Sequence, residues 1–412
     1  MPITFENRGY SEKVSAGSTW LRRNGVLWSQ IESERGKYDW SKLQDFEPEL
    51  LLAAERHVNL IPVIRGTPDW VQKIDGFACG PMRRENFIDF SKFLYEFVNR
   101  YGQPPFNLRY VEIWNERDIH PGQVNPTSTF GCWGDKEDDF FEGGNYAEML
   151  KFVYPPVKVA NSQVQLITWG LLLDCDPDNV PRHKIDCNSA KFFEGILRNG
   201  GRDCFDGVGF HSYDYGYRSY YYENPNWHTS SRETGPVLFT KAAIWLKFLL
   251  VEYGVSDKFV FNTETVLLCM SDCETEDHDL ALTYYMTHSY AYASLSGLRA
   301  SLWYLIFGWL GSGLLDWDLT QLPANMTYRF ANEKINGKKY IREITDSQGV
   351  KIYEFADAES IIWILWGIEE NSVTVQLLKI PIAIWDYIGN SQTPKLVLDV
   401  TQKPVFIEWD HY

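Results

Sequence analysis

The chain predicts an α/β protein, a (β/α)8 TIM barrel followed by a small C-terminal antiparallel β-sandwich. From the N-terminus to about residue 320, apolar strand-like runs alternate with helix-like segments, the pattern of a parallel sheet covered by helices. The long segments all follow strands, whereas the links from helix to strand are short. A barrel whose working end lies at the C-terminal ends of its strands has that asymmetry. From about Lys351 the rhythm changes to short strands separated by Asp, Asn, Gly and Pro turns, as in a sandwich. With 412 residues there is room for both parts, and the division expected is residues 1–325 and 326–412.

In chain order, Ser18–Arg23 reads as a strand, and Trp28–Glu32 continues it towards a turn at Arg35–Tyr38. Ser41 is placed to cap a helix running through Arg56, with Leu43, Phe46, Leu50, Leu51 and Ala54 at helical spacing. Asn59–Arg65 is a strand, and Glu85–Tyr101 is an amphipathic helix with Phe90, Phe93, Leu94 and Phe97 on one side. The apolar run Leu108–Trp114 is the next strand, followed by a loop rich in Gly, Pro and acid before a helix around Tyr146–Val153. Gln165–Leu171 and Gly207–His211 are strands flanking a helix around Ser189–Arg198. An aromatic loop from Tyr213 to Trp227 leads to a helix over Val237–Tyr253 and a strand over Phe259–Glu264. Asp277–Gly297 is a helix and Arg299–Phe307 the last barrel strand. That makes seven strands, so the eighth must come from the short segment near Ile3–Phe5. Thr327–Gly349 reads as a connector to the strands Lys351–Ala356, Ser360–Gly367, Ser372–Leu378, Ile382–Tyr387, Lys395–Val400 and Val405–Trp409.

Composition narrows the partners. A formal charge of −16 argues against nucleic acid and anionic membranes, both of which select basic patches. No stretch approaches the roughly 20 apolar residues of a membrane span. The first residues lack the charged and apolar regions of a signal peptide, which points to the cytoplasm. Sixteen Trp and twenty-four Tyr are more than cores alone need. An aromatic face suits the apolar C–H face of a pyranose, so a carbohydrate partner is expected. The seven cysteines are an odd set without CxxC pairs, which argues against a zinc site. They are expected to be reduced, with one or two loop-pinning disulfides as the alternative in an oxidising compartment.

The chemistry is concentrated at two strand ends. Val111–Trp114 is apolar apart from Glu112, and the run stops at Asn115 and Glu116; Phe259–Phe261 stops likewise at Asn262, Thr263 and Glu264. An acid at the last position of a buried strand sits on the rim, where burial and neighbouring charge tune its proton affinity. Two such acids, brought within about 5–5.5 Å of each other, are the equipment of a retaining glycosidase.

Trp114-Asn115-Glu116 and Asn262-Thr263-Glu264, ending the fourth and seventh barrel strands, resemble the glycoside hydrolases of clan A. So do Trp20-Leu21-Arg22, Trp28–Glu32, Gly36–Trp40, Thr67–Trp70, Gly209–Tyr213 and Trp303. Together with the terminal sheet domain, the pattern is most similar to glycoside hydrolase family 39 and its neighbours, from about residue 16 to the end. Arg117 departs from it, standing where the clan usually has Pro and placing a charge near the cleft; the short N-terminus is a second departure. The resemblance implies Glu116 as acid/base and Glu264 as nucleophile, with no cofactor and no metal. It further implies that Arg22 keeps Glu264 ionised, although Arg22 could equally neutralise Glu112. Asn115 would bond the sugar 2-hydroxyl, His211 and Tyr213 would line the floor near the nucleophile, Trp303 would lie under the reacting sugar, and Trp70 would join the substrate contacts. Two rival readings remain: a sugar-binding barrel without turnover, and a metal-dependent hydrolase using His211, Asp214, His228 or Asp174.

Overall fold

A computed structural model of the chain describes residues 16–128, 130–173, 175–179, 187–218, 221–227, 229–230, 237–269, 276–345, 349–369 and 371–410. The segment near Ile3–Phe5 therefore lies outside the described residues, as do Asp174 and His228. The chain forms two compact units, one built from Ser18–Ser212 and Ala242–Glu264, the other from Tyr213–Lys241 and Thr265–Tyr412.

The first unit carries strands β1 (Trp20–Leu27), β2 (Asn59–Arg65), β3 (Tyr110–Asn115) and β4 (Gln165–Leu171), with the first halves of β5 (Gly207–Arg218) and β8 (Phe259–Cys269). β1 to β5 pair in sequence order, each parallel to the next, and β8 follows β5. Between them lie helices α1 (Trp28–Ile31), α2 (Phe46–Glu55), α3 (Phe87–Tyr101), α4 (Gly143–Ala160), α5 (Asn188–Arg198) and α6 (Val237–Glu252). Helix α3 buries Phe87, Phe90, Phe93, Leu94, Phe97 and Tyr101, a stripe at the spacing of one helix face. β2 is buried from Leu60 to Ile64, because helices cover one face of the sheet and other strands the opposite one. On β1, neighbouring side chains point to opposite faces: Arg23 reaches Glu49 on α2 at 2.7 Å, while Arg22 turns inward.

The sheet curls far enough for its distant strands to touch. Trp20 on β1 meets Tyr110 on β3 at 4.8 Å and Phe261 on β8 at 5.0 Å between ring centroids. Phe259 fits because β5 begins at Gly207, where an added Cβ would lie 1.8 Å from the phenyl ring.

The second unit holds the remainder of β5 and β8, then β6 (Tyr221–Asn224), β7 (Thr229–Ser230), α7 (Glu276–Leu295), β9 (Ala300–Trp303), α8 (Pro323–Ile335) and β10 to β17. Strands β10 (Lys339–Glu343), β11 (Val350–Ala356), β12 (Ile361–Gly367), β17 (Val405–Trp409), β14 (Ala383–Asp386) and β15 (Ser391–Gln392) form one antiparallel sheet. β13 (Val373–Gln376) and β16 (Val397–Val400) form a separate ribbon. Ile352, Leu365 and Ile407 on one face of the sheet pack with Val375, Leu398 and Val400 of the ribbon. On the opposite face Phe355, Ile364 and Phe406 pack with Tyr292 of α7 and Phe330 of α8.

Several local expectations are corrected. Trp28–Ile31 is a helical turn rather than a strand extension; Gly25, at φ +108, breaks the β1 register, and the Trp28 indole then donates to Glu32 at 2.6 Å. Ser41 caps no long helix: Asp39 accepts its backbone N–H to start a short 3-10 turn, and α2 begins only at Phe46. β5 continues past His211 and pairs antiparallel with β6, so part of the aromatic loop is a hairpin. The connector contains helix α8 and strand β10, from which Phe330, Ala331, Ile335 and Tyr340 pack into the sheet core. The cysteines are not all reduced. Cys79 pairs with Cys132 and Cys175 with Cys187, Cys269 is also disulfide-bonded, and Cys204 is free.

Candidate active site

Side chains from β3 and β8 converge on one guanidinium of β1. Arg22 on β1 donates through Nε and Nη2 to the two oxygens of Glu112 at 2.8 and 2.7 Å, and through Nη2 to Asn115 Oδ1 at 2.6 Å. Its Nη1 forms an ion pair with Glu264 Oε1. The alternative left open for Arg22 is thus resolved in favour of both partners. Glu112 also accepts the Gly170 N–H at 2.9 Å, which fixes the carboxylate that orients Arg22. A buried acid in an apolar strand calls for such a partner.

His211 on β5 sits between the two glutamates of interest. Its Nδ1 lies 2.7 Å from Glu116 Oε1 and 3.4 Å from Glu264 Oε2. One ligand-type atom from each of Glu116, His211 and Glu264 lies within 4.8 Å of the others. All three residues are buried, and burial pushes the Glu116 carboxyl up to about 8, with nearby Arg22 opposing and Glu112 reinforcing the shift. Burial likewise pushes His211 down to about 4, so the imidazole is neutral at ordinary pH. Glu116 consequently holds its proton near neutrality, while Glu264 pairs directly with the Arg22 guanidinium.

These three groups could also surround a divalent ion. The 2.7 Å contact between His211 and Glu116 is a hydrogen-bond distance. Atoms held about 2.1 Å from a tetrahedral zinc stand roughly 3.4 Å apart, so the present geometry fits a shared proton better than a shared metal. Asp214, from the rival set, instead accepts from Tyr285 at 3.1 Å.

The backbone that presents Glu116 is unusual. Trp114 and Glu116 adopt left-handed φ values of +74 and +45, a region that costs a non-glycine residue energy and persists only where its surroundings impose it. A neighbouring strand and a returning loop impose it here. Glu116 N–H donates to Gly170 O at 3.0 Å, and the returning loop donates Gly131 N–H to Asn115 O at 2.5 Å and Trp133 N–H to Arg117 O at 3.3 Å. The Cys79–Cys132 disulfide ties that loop to the segment after β2.

Arg117 does not reach the cleft as the sequence implied. It is fully buried, with its guanidinium carbon 3.3 Å from the Trp133 ring centre, 4.1 Å from Trp114 and 4.4 Å from Tyr146. None of its guanidinium nitrogens has a hydrogen-bond partner among the described residues, and burial holds its basicity well below the ordinary value. Cation–π contact, about 2 kcal/mol when desolvated, is the attraction available to it.

The other residues expected to contact substrate have protein partners of their own. Trp70 donates its indole N–H to Glu32 O at 3.0 Å and meets Trp28 edge-on. Tyr213 stands edge-on to Tyr304 at 5.8 Å, and its carbonyl accepts from Asn224. Trp303 ends β9, donates to Ser312 O at 3.0 Å and meets Tyr285 edge-on. Gly170 is the residue the sequence reading missed. A Cβ there would lie 2.0 Å from His211 Nε2 and 2.7 Å from Thr263 Oγ1. A glycine inside an otherwise apolar strand is itself a signal of close approach.

The α/β fold with this terminal sheet is the one found in glycoside hydrolases of families 39 and 30. A family 39 glycoside hydrolase from Bacteroides cellulosilyticus WH2 matches with a TM-score of 0.70 and 18% identity, over 97% of this chain and 77% of that one. A family 30 endoxylanase from Clostridium papyrosolvens C71 matches at 0.61 and 12%, over 98% and 92% of the two chains. A β-xylosidase from Caulobacter crescentus CB15 matches at 0.60 and 14%, over 97% and 91%. No protein-family model matches the sequence, and no curated protein matches it either.

Proposed function

We propose that this protein is a retaining glycoside hydrolase that cleaves β-glycosidic bonds by double displacement, on a barrel whose sheet closes into a (β/α)8 cylinder. Closure is supported by the Arg22–Glu264 ion pair, which joins β1 at one edge of the strand order to β8 near the other. The observation that carries the activity is the cluster of Glu116, His211 and Glu264 within 4.8 Å, in keeping with the short carboxyl separation of retaining enzymes.

In this reading Glu116 gives its proton to the leaving-group oxygen while Glu264 attacks the anomeric carbon, and the glycosidic bond breaks as the glycosyl ester forms. Esterification removes the negative charge of Glu264 but leaves Arg22 in place. The field at Glu116 turns more positive, which favours its anion. Glu116 then takes a proton from water, whose oxygen displaces Glu264 from the sugar. Asn115 presents its oxygen to Arg22, which leaves its amide N–H2 to donate to the sugar 2-hydroxyl.

Two of the similar structures are named for xylan or xyloside cleavage, so aryl xylosides lead the substrate panel. Proton NMR of the first-formed sugar is expected to show the β anomer before mutarotation; the α anomer would overturn the proposal. Glu264→Ala should lose nearly all turnover and regain part of it with azide, as a glycosyl azide. Activity should survive a chelator. The cysteine pairs support an oxidising compartment as the place of action rather than the cytoplasm suggested by the N-terminal residues.

A further inference from the structure

We propose that Arg117 is a positioning residue for Glu116: its guanidinium, clasped by Trp114, Trp133 and Tyr146, holds the turn on which the acid is carried. The proposal rests on the glycosidase reading above for the role of Glu116, and its residues all belong to the first unit. Two features that cost stability fall on this one turn. Trp114 and Glu116 have left-handed backbone, and Arg117 buries a guanidinium whose nitrogens meet no acceptor among the described residues. Each is unfavourable by itself, and a hydrocarbon chain of similar length would avoid the second. Departures of this kind gather where a site needs one particular geometry, and here they enclose a single carboxyl.

Trp114 and Arg117 stand on either side of Asn115 and Glu116 in the chain. The 4.1 Å approach of the guanidinium to the Trp114 ring therefore closes the four-residue turn that contains the acid. Trp133, at 3.3 Å, brings in the returning loop, and Tyr146, at 4.4 Å, brings in helix α4. The rings brace one another edge-on: Trp114 meets Trp133 at 5.7 Å and Phe90 of α3 at 5.6 Å, and Trp133 meets Tyr146 at 5.5 Å. Gly131 lets the loop close on the turn, since a Cβ there would lie 2.5 Å from Asn115 O and 2.8 Å from Arg117 Cα. A planar guanidinium suits a slot walled by rings, whereas a flexible side chain of the same length fills it without fixing one arrangement.

Glu116 itself is faced by Arg22 of β1, Glu112 of β3, His211 of β5 and Glu264 of β8. The charges that move its proton are those of Arg22 and Glu112. Arg117, although next in the chain, turns into the aromatic box, so its contribution is geometric. Fixing the turn keeps the carboxyl out of water, the main cause of its high proton affinity, and keeps the proton aimed at one place. A displacement of about 1 Å at such a group can cost about 10²-fold in rate.

The test compares the full chain with Arg117→Met, which keeps the length of the side chain and loses the plane. Across a series of aryl β-glycosides, kcat on poor leaving groups should fall about 10- to 100-fold with KM unchanged. Dinitrophenyl glycosides, which need no proton, should lose little. The alkaline limb near pH 8 should move to lower pH, because a carboxyl that reaches water gives up its proton sooner. Trp133→Phe, which thins the box and leaves Arg117 in place, should move both readouts in the same direction. Wild-type behaviour of Arg117→Met overturns the proposal, and so does a loss shared equally by good and poor leaving groups in step with a lowered thermal midpoint. If the wild type cleaves no glycoside, the catalytic reading fails, and the Glu116 carboxyl is followed by carbon NMR, assigned with Glu116→Gln. Its titration should then shift to lower pH in Arg117→Met, and an unmoved titration overturns the positioning role.

Discussion

Glu116 and His211 impose opposite pH dependences on stability, and their windows overlap only in part. Glu116 has a folded value of about 8 against an ordinary 4.5, so between those values the folded state holds a proton that the unfolded state has lost. Its contribution is complete below 4.5 and is lost as pH rises through 8. His211, at about 4 against an ordinary 6.5, does the reverse: the unfolded state binds the extra proton between those values, and stability falls as pH drops. Between 4.5 and 6.5 the two slopes cancel. Between about 6.5 and 8 Glu116 acts alone, at about 1.4 kcal/mol per pH unit. Denaturant titration across that range should show the slope in the wild type and its absence in Glu116→Gln. The same protonation governs catalysis, so kcat/KM should fall on the alkaline side near pH 8. Glu116→Gln should lose about 10²–10⁴-fold on substrates with poor leaving groups and much less on activated aryl glycosides.

Arg117 offers a second test at the scale of one side chain. Its aromatic box supplies packing but no hydrogen-bond acceptor among the described residues. Replacing a buried charge by an apolar group of similar length is often neutral or stabilising. Arg117→Met should therefore keep or raise the thermal midpoint, whereas Arg117→Ala leaves a cavity and should cost about 2–5 kcal/mol. A large loss in the Met variant would show that the charge itself is needed.

At the scale of elements, the site depends on where β4 lets β3, β5 and β8 approach. Gly170 donates to Glu112, accepts from Glu116 and leaves room for His211 and Thr263. Gly170→Ala should displace the imidazole and break its contact with Glu116, since no rotamer removes a Cβ. Turnover is expected to fall by more than tenfold, and the alkaline limb of the pH profile should move as Glu116 loses its partner. An unchanged profile would mean that His211 does not hold the acid. The strands themselves were legible: β2, β4 and β17 have the bounds expected from their apolar runs. The run Trp28–Glu32 was misread because a buried helical turn and a buried strand look alike over five residues. Helix α8 was missed because its mixed polar sequence gains its apolar contacts only from the sheet it meets.

For the molecule as a whole, the terminal sheet cannot be treated as a detachable module. Tyr292 on α7 and Phe330 on α8 are buried against Phe355, Ile364 and Phe406. A chain ended after Ile335 would expose that face. It should therefore be recovered mainly as aggregate, or with a strongly lowered thermal midpoint, whereas a free-standing barrel domain would remain soluble and active.

The sequence alone determined the alternation of strands and helices, the late change to short antiparallel strands, and the two strand-end acids; Arg22 and His211 entered only as what the family resemblance implies. Those features are local: periodicity, turn residues and an acid closing an apolar run need no knowledge of distant neighbours. Only the tertiary structure decided that Arg22 serves Glu112, Asn115 and Glu264 together, that His211 bonds Glu116, that Arg117 lies in an aromatic box, and that cysteines far apart in sequence are paired. Each of those outcomes depends on how far the sheet curls and which strands it sets side by side. That curvature is set by packing across the whole unit, through contacts such as Trp20 with Phe261, and no stretch of sequence carries it by itself.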